Sequence, residues 1–259
     1  MSTPITTELI KELRDATGIS VMQCKRALEE AEGDMKKALA ILKKTSSDIA
    51  LKKRDREVKD GALMIKIGVG KVVLVTLHCE TDFVAKNEDF TNLLQKLTDM
   101  ALSEGVEKTK NESKNMIDLI IQKTGENIQL GEISEVTGNI LGSYVHNNKT
   151  GVIVSLSGGT ADLAKDIAMH ITAMKPEYMS GDEITEDAKQ TMTEIFEKEV
   201  ASIDKPVEIK KKMLEGKTNT YFKEKTLTEQ AFIKDGDITV GKLLEKNKAK
   251  IVEVKRYSI

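Results

Sequence analysis

Few residues in this chain are typed and spaced for chemistry. The tetrapeptide "GVGK" at Gly68–Lys71 invites comparison with a phosphate loop, whose backbone amides cradle phosphates beside a lysine. The full GxxxxGK[ST] pattern is absent, Val72 stands at the hydroxyl position and no helix is expected next, so a hairpin turn is the expectation. Gly158-Gly159 ahead of a helix starting at Thr160 is an anion cradle in principle, but two glycines fit a strand-to-helix turn better. His146 and His170 have no Ser or Cys nucleophile nearby in sequence, and a histidine on an amphipathic helix, as at His170, is usually structural or superficial. Cys24 and Cys79 form no CxxC or Cys/His cluster; they read as small buried hydrophobes, not as a disulfide or zinc site. Carboxylates abound without a metal-selecting pattern. No catalytic residue, metal or cofactor is therefore assigned.

One group resists this dismissal. In "VVLVTLHCETDFVAKNEDF" (Val72–Phe90) an apolar strand ends and Asp82 and Phe83 follow at once, in a chain that is only 3% aromatic. Phe83 either folds back to cap the core or is held out for another molecule. Asp82 and Lys86 make its surroundings polar and Phe90 already supplies an aromatic at the next helix start. An exposed ring beside a charge costs solubility unless a partner covers it, which favours an interaction wedge.

The totals narrow the class. The chain has 259 residues, with 32% charged but a formal net charge of −2. That balance argues against a broad nucleic-acid footprint, which requires a basic excess; the short "KKRDR" at Lys52–Arg56 is offset by Asp55 and Glu57. No basic-then-apolar leader and no run approaching a membrane span is evident, so a cytoplasmic protein without nucleic-acid or membrane partners is expected.

The elements that must hold Phe83 follow from periodicity. "ITTELIKELRDAT" places Leu9, Leu13 and Ala16 on one helical face and ends at Gly18; Ser20 with Gln23 makes a capping box, and Asp34 caps a third helix. These give a three-helix module at 1–45, followed by a charged, partly helical linker at 46–60. "GALMIKIGVGKVVLVTL" reads as two strands about Gly68–Gly70, and "EDFTNLLQKLTDMALSEG" as the amphipathic helix that packs on them. The same strand–turn–strand–helix order recurs in "ILGSYVHNNKTGVIVSLSGG" and "TADLAKDIAMHITAM". The expected class is α+β: two tandem antiparallel-sheet/helix subdomains at 61–138 and 139–259. An antiparallel helical hairpin is inserted at 182–226, turning at "DKP" and projecting from the body. A short helix and an alternating strand, with Ile251 and Glu253 opposite Val252 and Val254, return to the second sheet.

"LRDATGISVMQCKRAL" (Leu13–Leu28) and "CETDFVAKN" (Cys79–Asn87) closely resemble, in order and spacing, the two signature segments of the translation elongation factor Ts family. "MHITAMKP", the helical hairpin and the second β unit also fit, so the resemblance covers nearly the whole chain. It departs at His78, where many members carry asparagine, and it lacks the extra C-terminal helical module of some members, so no contact through such a module is expected. The resemblance implies a ubiquitin-associated-like (UBA-like) N-terminal module and a nucleotide-exchange factor for the GTPase elongation factor Tu, with no active site of its own. It implies that Thr81, Asp82, Phe83 and Val84 disturb the partner's Mg²⁺ site, and that Met22, Gly151, Met169 and His170 are further contacts. Thr150 stands where the family often has an aliphatic residue before that glycine. The hairpin is a dimerisation element in some members and a candidate one here. A non-catalytic adaptor built on the UBA-like module is the alternative.

Overall fold

The computed structural model describes residues 4–259, which divide into two units. The first comprises everything up to Thr137 together with Val145–Gly151 and Tyr257–Ile259; the second comprises Gly138–Tyr144 and Val152–Arg256.

The first unit opens with α1 (Thr7–Thr17), α2 (Val21–Glu30) and α3 (Met35–Lys53). Each is started by a side chain that satisfies an orphan amide: Thr6 accepts from Leu9, Ser20 from Gln23, and Asp34 from Lys36 and Lys37. Gly18 ends α1 at φ 66, a backbone conformation natural to glycine. Leu13, Ile19, Cys24, Ala27, Leu28, Ala38 and Leu42 form the module's core.

The third helix runs on through the segment expected as a linker. Ser46 and Ala50 are buried, Ser47 Oγ donates to Asp118 at 2.7 Å, and Ile49 and Ala50 join the next core. The charged composition of this stretch hid a buried stripe, and only the residues between Lys53 and Asp60 lie outside regular structure before the first strand.

Strands β1 (Asp60–Gly68) and β2 (Lys71–Cys79) pair antiparallel about a turn at Val69–Gly70. The sequence reading left a third strand unassigned: β3 (Ile128–Thr137) pairs antiparallel with β2, giving the order β1-β2-β3. Its Gly131 and its charged residues mask the period-two signal. Being central, β2 is buried from Val72 to Leu77. One face, through Val73, Val75, Leu77 and Cys79, meets the long helices α5 (Glu88–Glu104) and α6 (Val106–Thr124). A one-turn helix, α4 (Asp82–Ala85), joins β2 to α5.

The second unit carries most of the sheet β4 (Ile140–His146), β5 (Thr150–Ser157) and β8 (Lys250–Ser258), ordered β4-β5-β8. Helix α7 (Ala161–Met174) supplies Leu163, Ala164, Ile167, Ala168 and Ile171 to a core shared with Val152, Val154 and Leu156. The helical hairpin is α8 (Glu186–Ala201) and α9 (Val207–Lys225); only Val200 and Phe222 of its residues are buried. A small antiparallel ribbon, β6 (Ala231–Phe232) and β7 (Asp235–Thr239), precedes α10 (Val240–Lys246). This ribbon had no sequence signal because β6 has two residues. Mixed helix and strand with small antiparallel sheets and a UBA-like start is the α+β class expected.

Candidate functional site

Beyond Cys79 the chain leaves β2 and turns at Thr81, whose extended backbone (φ −133, ψ 156) caps α4 and whose Oγ1 accepts from the Val84 amide. A single helical turn then sorts its side chains by direction. Val84 packs against the first unit's core and Ala85 is buried, while Phe83 is 82% exposed. Phe90 at the start of α5 is wholly buried, so the core of this unit has its aromatic and does not use Phe83. Of the two roles open to that ring, the inward one is not taken.

Polar groups fix the turn from behind. The Thr81 amide donates to Glu126 Oε2 at 3.0 Å and its hydroxyl donates to Glu126 Oε1 at 2.7 Å. The Cys79 thiol donates to the Thr81 carbonyl at 3.1 Å; burial first, then Glu126 and Asp60, push that thiol up to about 12, so it stays a protonated donor. Glu80 accepts from the Asn127 amide at 2.6 Å and pairs with Arg56 at 3.5 Å. Asn127 Nδ2 in turn donates to the carbonyls of Arg54 and Arg56. Asp82 faces outward and pairs with Lys86 at 2.7 Å, and that carboxylate holds the ammonium above its usual range. An exposed pair of this kind contributes little to stability, so a docking surface can exchange it at small cost. Glu80, Glu126 and Asn127 escaped the sequence reading; a Gly125 helix stop ahead of two polar residues was the only local sign, and the partners that place them at the turn lie far off in the chain, Thr81 45 residues from Glu126 and Glu80 47 residues from Asn127.

The other expected contacts fall in varied settings. Met22, 62% exposed, stands on α2 beside exposed Val21. Gly151 is buried, and a Cβ there would meet Leu63 Cδ1 at 2.7 Å and Ile65 Cδ1 at 3.1 Å; its size is fixed by packing within the first unit. Thr150 shares a 3.0 Å hydrogen bond with Ser258. Met169 and His170 belong to the second unit, Met169 partly exposed.

His170 is enclosed within the second unit. Its side chain is wholly buried, with Nε2 at 2.8 Å from Gln230 Oε1 and Nδ1 accepting the Ile233 amide at 3.2 Å. That pair of partners places the proton on Nε2. Phe232 stacks on the ring at a 6.0 Å centroid separation. Burial lowers its pKa, opposed by the Gln230 bond. The ring thus ties α7 to the β6–β7 ribbon from inside.

The sequence's other candidates resolve into structure. Gly68–Lys71 is the β1–β2 turn, with Lys71 paired to Glu135 at 3.2 Å. Gly158 and Gly159, at φ 82 and 78, make the strand-to-helix turn before α7, where a Cβ on Gly158 would meet the Lys248 carbonyl at 2.1 Å. Both cysteines are buried and unpaired. Among the described residues no group of three His, Cys, Asp or Glu is placed to hold a metal ion, and no helix is long and apolar enough to cross a membrane.

An exposed ring on a braced turn, following a three-helix module in the chain, accords with comparisons to known proteins. The family model "Elongation factor TS" matches residues 80–259 and a "UBA-like domain" model matches residues 6–42. The chain is 38% identical to elongation factor Ts of Hahella chejuensis, the match covering 98% of this chain and 92% of that relative. It is 36% identical to that of Thioalkalivibrio sulfidiphilus over the same shares. It is 37% identical to that of Deinococcus deserti over 92% of this chain and 94% of the relative. The chain belongs to the elongation factor Ts family, and it is a translation elongation factor.

Proposed function

We propose that this chain binds the GTPase elongation factor Tu and speeds the release of its GDP, with Phe83 as the intruding group and with no active site of its own. The observation that carries the proposal is the exposure of the Phe83 ring on a turn whose backbone is held by Thr81, Glu126 and Cys79. Family membership supports the partner.

GTPases hold GDP through backbone donors and a lysine at the phosphates, with Mg²⁺ bridging. A protein that never touches the nucleotide weakens it by binding better to the partner conformation in which those ligands are displaced. Burial of the Phe83 ring in an apolar pocket beside the metal-holding segment contributes about 1.5–3 kcal/mol. Asp82, released from Lys86, brings a carboxylate near groups that hold the cation. A hundredfold loss of GDP affinity requires about 2.7 kcal/mol, so one ring cannot supply both attachment and distortion. The balance comes from contacts made elsewhere, at Met22 and at the second unit around Met169.

The coupling is reciprocal: GDP weakens this chain's hold on its partner by the same factor. The chain speeds equilibration and does not select GTP over GDP. Release of a fluorescent GDP from elongation factor Tu, timed with and without the chain, tests the proposal. Acceleration is expected; binding without acceleration would make the protein an adaptor.

A further inference from the structure

The braced turn assigns a task to a residue outside the segment that meets the partner. We infer that Glu126 is a positioning residue for Phe83: its carboxylate locks Thr81, and through Thr81 the one-turn helix that displays the ring. For its consequence in exchange, this inference rests on the function proposed above.

Thr81 offers two donors, its amide and its hydroxyl, and Glu126 meets each with a separate oxygen, at 3.0 and 2.7 Å. A carboxylate is the side chain that can do this, having two acceptor oxygens and no proton to place. Because the Thr81 hydroxyl gives its proton to Glu126, its lone pairs are left for the Val84 amide, which they accept as the cap of α4. The carboxylate therefore orients the cap, and the cap orients the turn carrying Phe83. Glu126 is itself rigidly held. It follows Gly125, which ends α6 at φ 78. Asn127, next along, is buried and tied to Glu80, Arg54 and Arg56. Lys53 at the end of α3 donates to the Gly125 carbonyl. The Phe83 ring itself is 82% exposed, so its orientation is inherited chiefly from this clamp. A side chain held ready needs less ordering on docking.

Glutamine in place of Glu126 keeps the shape but offers one acceptor and an NH₂: with its oxygen on the Thr81 amide, its NH₂ donates to the Thr81 hydroxyl, which then loses its acceptor and shares its lone pairs between that NH₂ and the Val84 amide, so the cap is loosened. The test uses the full chain carrying Phe83→Trp, whose indole is then the sole tryptophan because the sequence has none. Adding Glu126→Gln is expected to lower the residual fluorescence anisotropy of that indole by about half, as ring motion on the nanosecond scale is freed. Anisotropy unchanged in a folded Glu126→Gln protein overturns the inference. Should Glu126→Gln fail to fold, the clamp is judged from its other side: Thr81→Val must lower the anisotropy and Thr81→Ser, which keeps the hydroxyl, must not; equal values for the two overturn it.

A second readout follows GDP release from elongation factor Tu. Glu126→Gln is expected to slow stimulated release roughly tenfold when Phe83 is present and less than about twofold when Phe83→Ala is already in place, the signature of coupled sites. Equal losses in both backgrounds would make Glu126 a general structural residue. The anisotropy needs no partner, so a parent chain that fails to accelerate release refutes the exchange function while the clamp is still decided by fluorescence.

Discussion

Phe83 and His170 are both put forward by the family resemblance, and they end up in opposite settings. Phe83 is apolar and stands in solvent; His170 is polar and is wholly enclosed. The difference lies in which groups each one satisfies. Phe83 has no polar atoms to place and no cavity waiting for it, since Phe90 fills the local core. The His170 ring has two nitrogens, and Gln230 and Ile233 use both. A buried polar group with all its partners stabilises the fold it sits in, whereas an exposed ring gains only when something else covers it. Residue type alone would have reversed these assignments.

The contrast can be broken by mutation, and the largest effect is expected at the ring. Phe83→Ala should slow stimulated GDP release by more than about tenfold while moving the melting temperature by no more than about 2 °C, as for other exposed sites. A protein that unfolds instead, with its folded remainder fully active, would return Phe83 to the core. His170→Ala should do the opposite. Emptying the site and orphaning the Ile233 amide costs about 2–4 kcal/mol by denaturant titration, with release per folded molecule nearly unchanged. A large loss of release at unaltered stability would restore His170 as a direct contact.

Met22→Ala should weaken the complex with elongation factor Tu by roughly three- to tenfold in a titration, as for a contributing but not dominant interface residue. Unaltered affinity would leave the N-terminal module without a role in attachment. The smallest effect concerns pH. Burial lowers the pKa of His170 from 6.5, so the unfolded chain binds its proton more readily. Stability present above the ordinary histidine range is therefore lost as pH falls below 6.5 toward the depressed folded value. His78 is lowered too, by burial and then by Lys149. The His170 share is thus the part of the acid-side loss that disappears in His170→Gln; an identical pH profile for the two proteins would contradict it.

Much of the frame was legible because it rests on local signals. Ser20 and Asp34 mark the starts of the second and third helices where the caps are found, and Gly18 the end of the first, and the Val69–Gly70 turn and the amphipathic α5 follow from short-range pattern. What escaped was set by distant partners. Strand β3 is defined by its pairing with β2 rather than by its own alternation. The burial of Ser46 and Ala50 depends on packing against α6, to which Ser47 reaches through Asp118. At the candidate site the ring was visible in the sequence, but the carboxylate holding its turn was not, because a glutamate after a helix stop looks like any solvated one. The burial of His170 was not legible either, since it requires the β6–β7 ribbon, which has almost no sequence of its own.

The continuity of α3 joins the N-terminal module stiffly to the sheet and long helices. Its 19 residues span roughly 28 Å at the usual rise. Ala38 and Leu42 are embedded in the module's core, and Ile49 and Ala50 in that of the sheet and long helices. A floppy tether would let the module gain attachment only through raised effective concentration, with each contact made and broken alone. A stiff lever has no such play. On the function proposed above, movement of a partner beneath Met22 would be geared, through one rod, to the turn that carries Phe83.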